Sequence, residues 1–262
     1  MGSLTERTVM VTGGGGGIGC ATSLALARAG ATVVVADIDL IAGERTADLI
    51  GQQRGSAVPV ELDVTDERAW LSVVAQITRQ CGPVTGLVNN AAIKASRLGD
   101  AGLLDTDAAT WDRILNVNLR GPMLGSRAVL PGMLEAGEGS IVMISATCAF
   151  RGVASFATAY SSAKAGMNGL MIAIATTYGG LGVRCNSVAP GLIVVESSPS
   201  QDAHIEQTAG LLYRLGRTSD IASLVVLLTS DEGSYINGQV IAVDGGMTTH
   251  TAGLSRPVHR RD

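Results

Sequence analysis

The sequence predicts an α/β fold, in which one parallel, doubly wound sheet of seven strands carries helices on both faces. Short apolar or β-branched runs alternate with longer amphipathic runs along the whole 262-residue chain, a pattern typical of parallel sheets. Hydrophobic residues make up 46% of the chain but aromatic residues only 3%. Ala, Val, Leu and Ile therefore have to fill the core, as they do around strands that are buried on both faces.

Each element follows from a local pattern. The predicted strands span residues 8–12, 32–36, 57–62, 85–88, 140–145, 183–187 and 239–243. The predicted helices span residues 20–29, 41–53, 66–80, 107–135, 157–178 and 219–229. Pro122 and Pro131 lie inside the fourth helical run, so we expect a bend or break at each.

One domain is expected over residues 1–262, because the alternation continues without a linker or an internal repeat. We expect flexible ends at about residues 1–5 and 250–262. The stretch 191–216 is long and irregular. It is expected to be the substrate loop, since loops of that length in compact domains are usually functional.

Composition narrows the class of function. The formal net charge is −4 without a long run of like charge, so no nucleic-acid partner is expected. No apolar run approaches the roughly 18 residues that span a bilayer, and the N-terminus lacks the features of a signal peptide. We therefore expect no membrane partner and a cytoplasmic location. The widely spaced cysteines and histidines predict neither a disulfide framework nor a metal site.

A glycine-rich turn, TGGGGGIG at residues 12–19, joins the first predicted strand to the first predicted helix. Its glycines permit a tight turn, a close approach of the backbone to a pyrophosphate and close packing of the helix on the sheet. Free N–H groups at the helix start favour phosphate. The turn predicts a dinucleotide-binding Rossmann fold. The expected cofactor contacts here are Gly13, Gly16, Gly17, Ile18 and Gly19.

A carboxylate ends the second strand and bears on the choice of cofactor. Asp37 lies twenty residues beyond Gly17, where an acidic side chain accepts hydrogen bonds from the adenosine ribose. Its charge would repel a 2′-phosphate, Ile38 stands where Arg is common in NADP sites, and the glycine turn has no Lys or Arg. NAD is therefore the expected cofactor. The alternative is that Asp37 only caps the following helix.

Tyr160 and Lys164 are four residues apart in a predicted helix, so their side chains share one face. A phenol has a pKa of about 10 and is a poor base near neutral pH. A neighbouring ammonium favours the phenolate, and the pair could then exchange a proton with an alcohol or a carbonyl oxygen.

Taken together, these motifs resemble the short-chain dehydrogenase/reductase family, in its compact, single-domain, NAD(H)-dependent branch. The likeness extends from Thr8 to about Met247. The motifs that carry it are residues 12–19, Asp63-Val64, Asn89-Asn90-Ala91-Ala92, Asn116-Val117-Asn118-Leu119, Tyr160 with Lys164, residues 186–191 and Asp244-Gly245-Gly246. The resemblance implies an alcohol dehydrogenase or ketone reductase.

The resemblance also implies a role for each matching position. Tyr160 would be the acid/base, Lys164 would lower its pKa and bind the nicotinamide ribose, and Asn118 would hold a water of the proton relay. The alternative for Asn118 is a helix-breaking side chain satisfied by backbone. The remaining implied cofactor contacts are Asp63 and Val64 at the adenine, Asn90 and Ala91 at the adenosine ribose, and Pro190, Gly191 and Ile193 near the carboxamide.

Three positions depart from the family pattern. A serine that hydrogen-bonds the substrate oxygen would fall on Ala146 when counted from the strand, and on Thr147 when counted back from the tyrosine. We favour Thr147, with Ser145 as the alternative donor to the developing oxyanion. Val195 replaces the threonine that helps to hold the carboxamide, and Ala92 replaces a glycine.

The expected reaction is hydride transfer between NAD and a hydrophobic secondary alcohol or its ketone. The expected pocket walls are residues 94–98, 148–156 and 192–215, which include Phe150, Phe156, Leu192, Leu211, Leu212 and Tyr213. Lys94 and Arg97 face either solvent or an anionic substrate. The resemblance implies a homotetramer paired through the helices at 107–135 and 157–178. Alternatives are an NAD-binding regulator without turnover, or another reaction on this scaffold, such as enoyl reduction.

Overall fold

The computed structural model describes residues 3–152, 157–195, 211–212 and 214–249. Those ranges contain nine strands, which are β1 (Thr8–Thr12), β2 (Thr32–Asp37), β3 (Ser56–Glu61), β4 (Val84–Asn89), β5 (Gly139–Ile144), β6 (Val183–Pro190), β7 (Ile193–Val194), β8 (Gly216–Arg217) and β9 (Val240–Val243). The α-helices of the same ranges are α1 (Gly17–Arg28), α2 (Leu40–Gln52), α3 (Glu67–Cys81), α4 (Ala108–Leu115), α5 (Gly121–Ala136), α6 (Thr158–Tyr178) and α7 (Thr218–Thr229).

Seven of the strands form one sheet in the order β3-β2-β1-β4-β5-β6-β9, and every neighbouring pair is parallel. The chain moves outward from β1 to β3 and then returns to place β4 on the other side of β1. The predicted doubly wound sheet is therefore confirmed. This reversal leaves a crevice at the carboxyl ends of β1 and β4, which is where such sheets bind ligands.

The strands are buried because helices cover both faces of the sheet. Successive residues of β1 point to opposite faces, so Met10 joins one apolar cluster while Val9 and Val11 join the other. The first cluster includes Trp70 of α3, and the second includes Leu26 of α1. No described helix is both long enough and apolar enough to cross a membrane.

The helical run predicted at 107–135 is interrupted once, not twice. A π-helical turn, Asn116–Arg120, separates α4 from α5, and Pro122 follows at the start of α5, where its missing N–H is not needed. The break expected at Pro131 does not occur, because α5 continues through it. Pro131 lies on the exposed side of the helix, where water can bond the carbonyl that loses its partner.

Two further differences concern the expected loops and ends. The short parallel pair β7–β8 lies within the stretch 191–216 that was expected to be irregular. Residues 196–210 and 213 of that stretch lie outside the described residues, as do residues 1–2 and 250–262. Leu4 belongs to the end that was expected to be flexible, yet it is fully buried and its N–H donates to the Ala29 carbonyl at 2.8 Å.

Candidate active site

The glycine turn is packed so closely that most of its glycines leave no room for a side chain. A Cβ on Gly19 would lie 2.0 Å from the Gly13 carbonyl oxygen. A Cβ on Gly13, whose φ is +62°, would lie 3.0 Å from the Ala91 Cα. Gly16 is exposed and has no atom within 4 Å of its missing Cβ. The turn therefore exposes bare backbone at the start of α1, which fits a bound pyrophosphate.

Asn90 braces this turn. Its Nδ2 donates to the carbonyls of Thr12 at 2.9 Å and Gly13 at 3.1 Å. The Thr12 hydroxyl in turn accepts from the backbone N–H groups of Asn90 and Ala91. The Asn90 amide nitrogen therefore holds β1 and β4 together at the turn, and the expected contact of Asn90 with the adenosine ribose stays a prediction. The Asn89 Nδ2 donates to the Ser126 hydroxyl of α5 and to the Met143 sulfur of β5.

Asp37 faces the glycine turn from the end of β2. Its carboxylate accepts from the backbone N–H of Gly15 at 2.9 Å and from that of Asp39 at 3.0 Å. The residue that caps α2 is Asp39, which accepts from the Ala42 N–H. The alternative in which Asp37 caps this helix is therefore wrong. Ile38 is 67% exposed beside it, so no cation covers this corner of the crevice from that position.

Tyr160 and Lys164 lie one turn apart on α6, with the Lys164 Nζ 5.5 Å from the centre of the tyrosine ring. Nζ donates to the Ile144 carbonyl at 2.6 Å, and the lysine is 1% exposed. Burial lowers the pKa of Lys164 to about 8. Burial, and then the neighbouring Cys148 thiol, raise the pKa of Tyr160 above its ordinary value of 10.0.

The two candidate hydroxyls differ in what they already bind. The Ser145 hydroxyl is buried and donates to the Lys164 backbone carbonyl at 3.3 Å. Thr147 begins a 3₁₀ turn, Thr147–Ala149, shortly after the end of β5. Within the described ranges the Thr147 hydroxyl has no hydrogen-bond partner, so it remains able to bond a substrate.

Asn118 lies fully buried in the π-helical turn. Its Oδ1 accepts from the Ile93 N–H at 2.8 Å, and its Nδ2 donates to the Ile93 carbonyl at 2.9 Å. This is the alternative interpretation, a side chain satisfied by backbone. The pairing links the turn to the segment after β4, and π-helical turns are frequent at functional sites.

The remaining expected cofactor residues border the same crevice. Asp63 is exposed and accepts from the N–H and the hydroxyl of Thr65, while Val64 is buried against α5 at Gly121. Gly191 follows Pro190 at the end of β6, and a Cβ on Gly191 would lie 2.8 Å from the Asp244 Cβ.

Val195 reaches across the crevice to the glycine turn. Both of its methyl groups lie 3.6 Å from the place that a Gly17 Cβ would take. Val195 directly follows β7, in which Ile193 pairs with Gly216 of β8. An apolar contact therefore stands where the family pattern has a hydroxyl.

The expected pocket wall is only partly described. Its described apolar members, Phe150, Leu192, Leu211 and Leu212, are between 42% and 64% exposed. Phe156 and Tyr213 lie outside the described residues, and so do all three histidines. Lys94 and Arg97 are exposed, which agrees with the expectation that they face solvent.

Comparison with known proteins places this arrangement in a family. A family model described as Enoyl-(Acyl carrier protein) reductase matches residues 13–248. A probable short-chain type dehydrogenase/reductase of Bradyrhizobium diazoefficiens is 39% identical over 95% of this chain and 90% of its own length. The chain belongs to the short-chain dehydrogenase/reductase family. The resemblance stated from the sequence is thus confirmed.

Two similar proteins of this family are named as alcohol dehydrogenases. A 2-(S)-hydroxypropyl-CoM dehydrogenase of Xanthobacter autotrophicus is 36% identical over 94% of this chain and 98% of its own. A cyclopentanol dehydrogenase of Comamonas is 34% identical, covering 95% of this chain and all of its own. These short-chain dehydrogenases support the coarser statement that the chain is an oxidoreductase of alcohols or ketones.

Solved structures agree with the fold. A short-chain dehydrogenase/reductase from Burkholderia xenovorans superimposes with a TM-score of 0.90 at 33% identity, over 96% of this chain and 100% of its own. A gluconate 5-dehydrogenase from Beutenbergia cavernae superimposes with a TM-score of 0.85 at 34% identity, over 95% of this chain and 99% of its own. The second structure was solved with NADP bound, so similarity to known structures does not decide between NAD and NADP.

Proposed function

We propose that this short-chain dehydrogenase/reductase uses NAD(H) to interconvert a hydrophobic secondary alcohol and its ketone. The observation that carries the proposal is the pairing of Tyr160 with Lys164 on one face of α6. The Lys164 Nζ lies 5.5 Å from the centre of the Tyr160 ring. The Lys164 Nζ is held by the Ile144 carbonyl, at the carboxyl end of the strand before α6. A partly buried phenol with a fixed cation beside it is suited to proton exchange with a substrate oxygen.

Tyr160 is the proposed acid/base. Burial raises the pKa of its phenol, so the phenolate depends on nearby positive charge. Lys164 contributes that charge on one side. When bound, the oxidised nicotinamide ring contributes a further positive charge and serves as the hydride acceptor. Tyr160 would take the hydroxyl proton in alcohol oxidation and return it in ketone reduction.

Thr147 is the proposed donor to the substrate oxygen, and Ser145 supports the site indirectly. The Ser145 hydroxyl is bonded to the Lys164 carbonyl, whereas the Thr147 hydroxyl has no partner among the described residues. For Asn118 we propose that the backbone of its π-helical turn, rather than its amide, holds the relay water, because both side-chain bonds go to Ile93.

NAD is the proposed cofactor, on the basis of charge. The Asp37 carboxylate lies against the Gly15 N–H, and neither Ile38 nor the glycine turn offers a cation to a 2′-phosphate. We expect a titration monitored by intrinsic fluorescence to give tighter binding of NADH than of NADPH. Tighter binding of NADPH would overturn this assignment of Asp37.

We propose that the protein forms a homotetramer, because its surface carries an exposed groove with apolar residues. Leu115, Leu119, Met123 and Leu170, from α4, the π-helical turn, α5 and α6, line it together with charged residues at its rim. Both predicted pairing helices therefore present apolar surface at one place. We expect sedimentation velocity to give a tetramer, and a Leu119→Arg variant to dissociate to smaller species. A monomeric wild type would contradict the proposal.

The reaction is tested with a panel of secondary alcohols with NAD⁺, and of ketones with NADH, followed by NADH absorbance. We expect turnover on apolar secondary alcohols and none for the Tyr160→Phe variant. A 2-enoyl thioester is included because the matched model is named for enoyl reduction. Turnover of the thioester alone would establish that other reaction, and NADH binding without any turnover would indicate a regulator. Either result would overturn the proposal.

A further inference from the structure

The start of α6 is held by a segment almost sixty residues away in the sequence. The first N–H groups of an α-helix have no partner inside the helix. In α6 they are satisfied from outside. Thr158 N–H donates to the Ala101 carbonyl at 3.2 Å, Ala159 N–H to the Asp100 Oδ1 at 2.9 Å, and Tyr160 N–H to the Asp100 Oδ2 at 2.8 Å.

The helix offers no cap of its own. Ala157 occupies the N-cap position with φ +67°, in the left-handed region that L residues other than Asn and Asp rarely adopt. It has no side-chain oxygen that could accept an N–H. The Thr158 hydroxyl strengthens the outside attachment by donating to the same Ala101 carbonyl at 2.7 Å.

Asp100 directs both carboxylate oxygens at the start of α6, and its Oδ1 also accepts from the Thr106 hydroxyl at 3.3 Å. It is 3% exposed, and the apolar cluster around the helix start contains Ile114, Ala159 and Ala163, against which Tyr160 packs. A carboxylate removed from water needs compensation. It receives that compensation from two N–H groups of α6, from the Thr106 hydroxyl and from the positive end of the α6 dipole.

We propose that Asp100 is a positioning residue for Tyr160. Its carboxylate, together with the Ala101 carbonyl, accepts the first three N–H groups of α6 and so fixes the turn from which the phenol projects. The inference rests on the proposed function of Tyr160. It adds a residue outside the recognised motifs, between β4 and α4 and two positions beyond the stretch 94–98 that was expected to wall the substrate pocket.

The test is an Asp100→Asn variant. Its amide oxygen can accept one N–H, but its NH₂ group would face the other. We expect kcat for alcohol oxidation to fall roughly 10- to 100-fold through misplacement of the phenol. The KM for NAD⁺ should stay within about twofold, because the glycine turn is unchanged. Amide hydrogen exchange at Ala159 and Tyr160 should rise at least about tenfold.

The matched control is Asp107→Asn. Asp107 caps α4 by accepting the Thr110 N–H at 2.7 Å, but α4 does not carry Tyr160. Because Asn caps a helix about as well as Asp, the melting temperature should stay close to that of the wild type, and kcat should stay within about twofold. Thr158→Val is a milder variant of the same attachment, should Asp100→Asn fail to fold. It removes only the hydroxyl bond and should lower kcat about threefold.

Two results would overturn the inference. One is faster exchange at Tyr160 in Asp100→Asn with kcat unchanged, which would leave Asp100 a cap for stability alone. The other is unchanged exchange at this turn. Wild-type protein that turns over no alcohol would instead defeat the proposed function, and the exchange measurement would still decide whether Asp100 fixes the turn.

Discussion

Replacing Lys164 by Met is expected to stabilise the protein while abolishing its activity. The lysine is fully buried, and burial lowers its pKa from 10.5 to about 8. At roughly 1.4 kcal/mol per pH unit, keeping it charged at pH 7 costs the folded state about 3 kcal/mol. Met has a similar length and no charge. It forfeits the bond to the Ile144 carbonyl, which is worth about 1 kcal/mol.

The net gain is therefore about 2 kcal/mol at pH 7, or a rise in Tm of about 5 °C for a chain of this size. Because the pKa of Lys164 is lowered in the folded protein, the stability of the wild type also depends on pH. Between about pH 8 and 10.5 the unfolded chain holds a proton on Lys164 that the folded protein has lost. The stability of the wild type rises through that window, and the advantage of the variant shrinks with it.

Urea unfolding followed by circular dichroism, at several pH values from 7 to 10.5, measures the stability difference between variant and wild type and its dependence on pH. Lys94→Met is the matched control, since Lys94 is the other lysine of the chain and is exposed. It should change stability by less than about 0.5 kcal/mol. A Lys164→Met variant that is less stable than wild type at pH 7, or whose advantage does not change with pH, would refute the reasoning.

Three more predictions concern the crevice. Gly19→Ala should lose NADH binding and at least about 2 kcal/mol of stability, because its Cβ would lie 2.0 Å from a carbonyl oxygen, while Gly16→Ala should retain its stability, because no atom lies within 4 Å of its Cβ. Isothermal calorimetry and urea unfolding compare the two. Thr147→Val should lower kcat by about 10²-fold or more, and Ser145→Ala by much less. The reverse order in steady-state assays would reassign the donor. Asp37→Ser should improve NADPH binding relative to NADH on the order of tenfold, as fluorescence titration can show.

The sheet could be predicted because its signal is local. The strands β1 and β2 are largely buried, so they appear in the sequence as mostly β-branched runs, and the glycine turn shows where the first strand ends. The π-helical turn and the continuity of α5 through Pro131 could not be predicted in this way. They depend on which side of the helix faces solvent, and on distant partners such as Ile93, which binds Asn118.

The site was predicted less evenly. Tyr160, Lys164 and the glycines stand at fixed spacings within one helix or one turn, so a sequence displays them. Asn90 and Asp100 act through bonds to backbone that lies 59 to 78 residues away, and no local pattern indicates such partners. The choice between Thr147 and Ser145 also depended on a tertiary contact, the bond from Ser145 to α6.

The central claim is that Tyr160 exchanges the substrate proton. It is tested most directly by Tyr160→Phe, assayed by NADH absorbance on the best alcohol of the panel, with NADH affinity measured on the same preparation. We expect kcat to fall by at least about 10²-fold while the affinity for NADH stays within about twofold of the wild type. A variant that keeps wild-type turnover would contradict it.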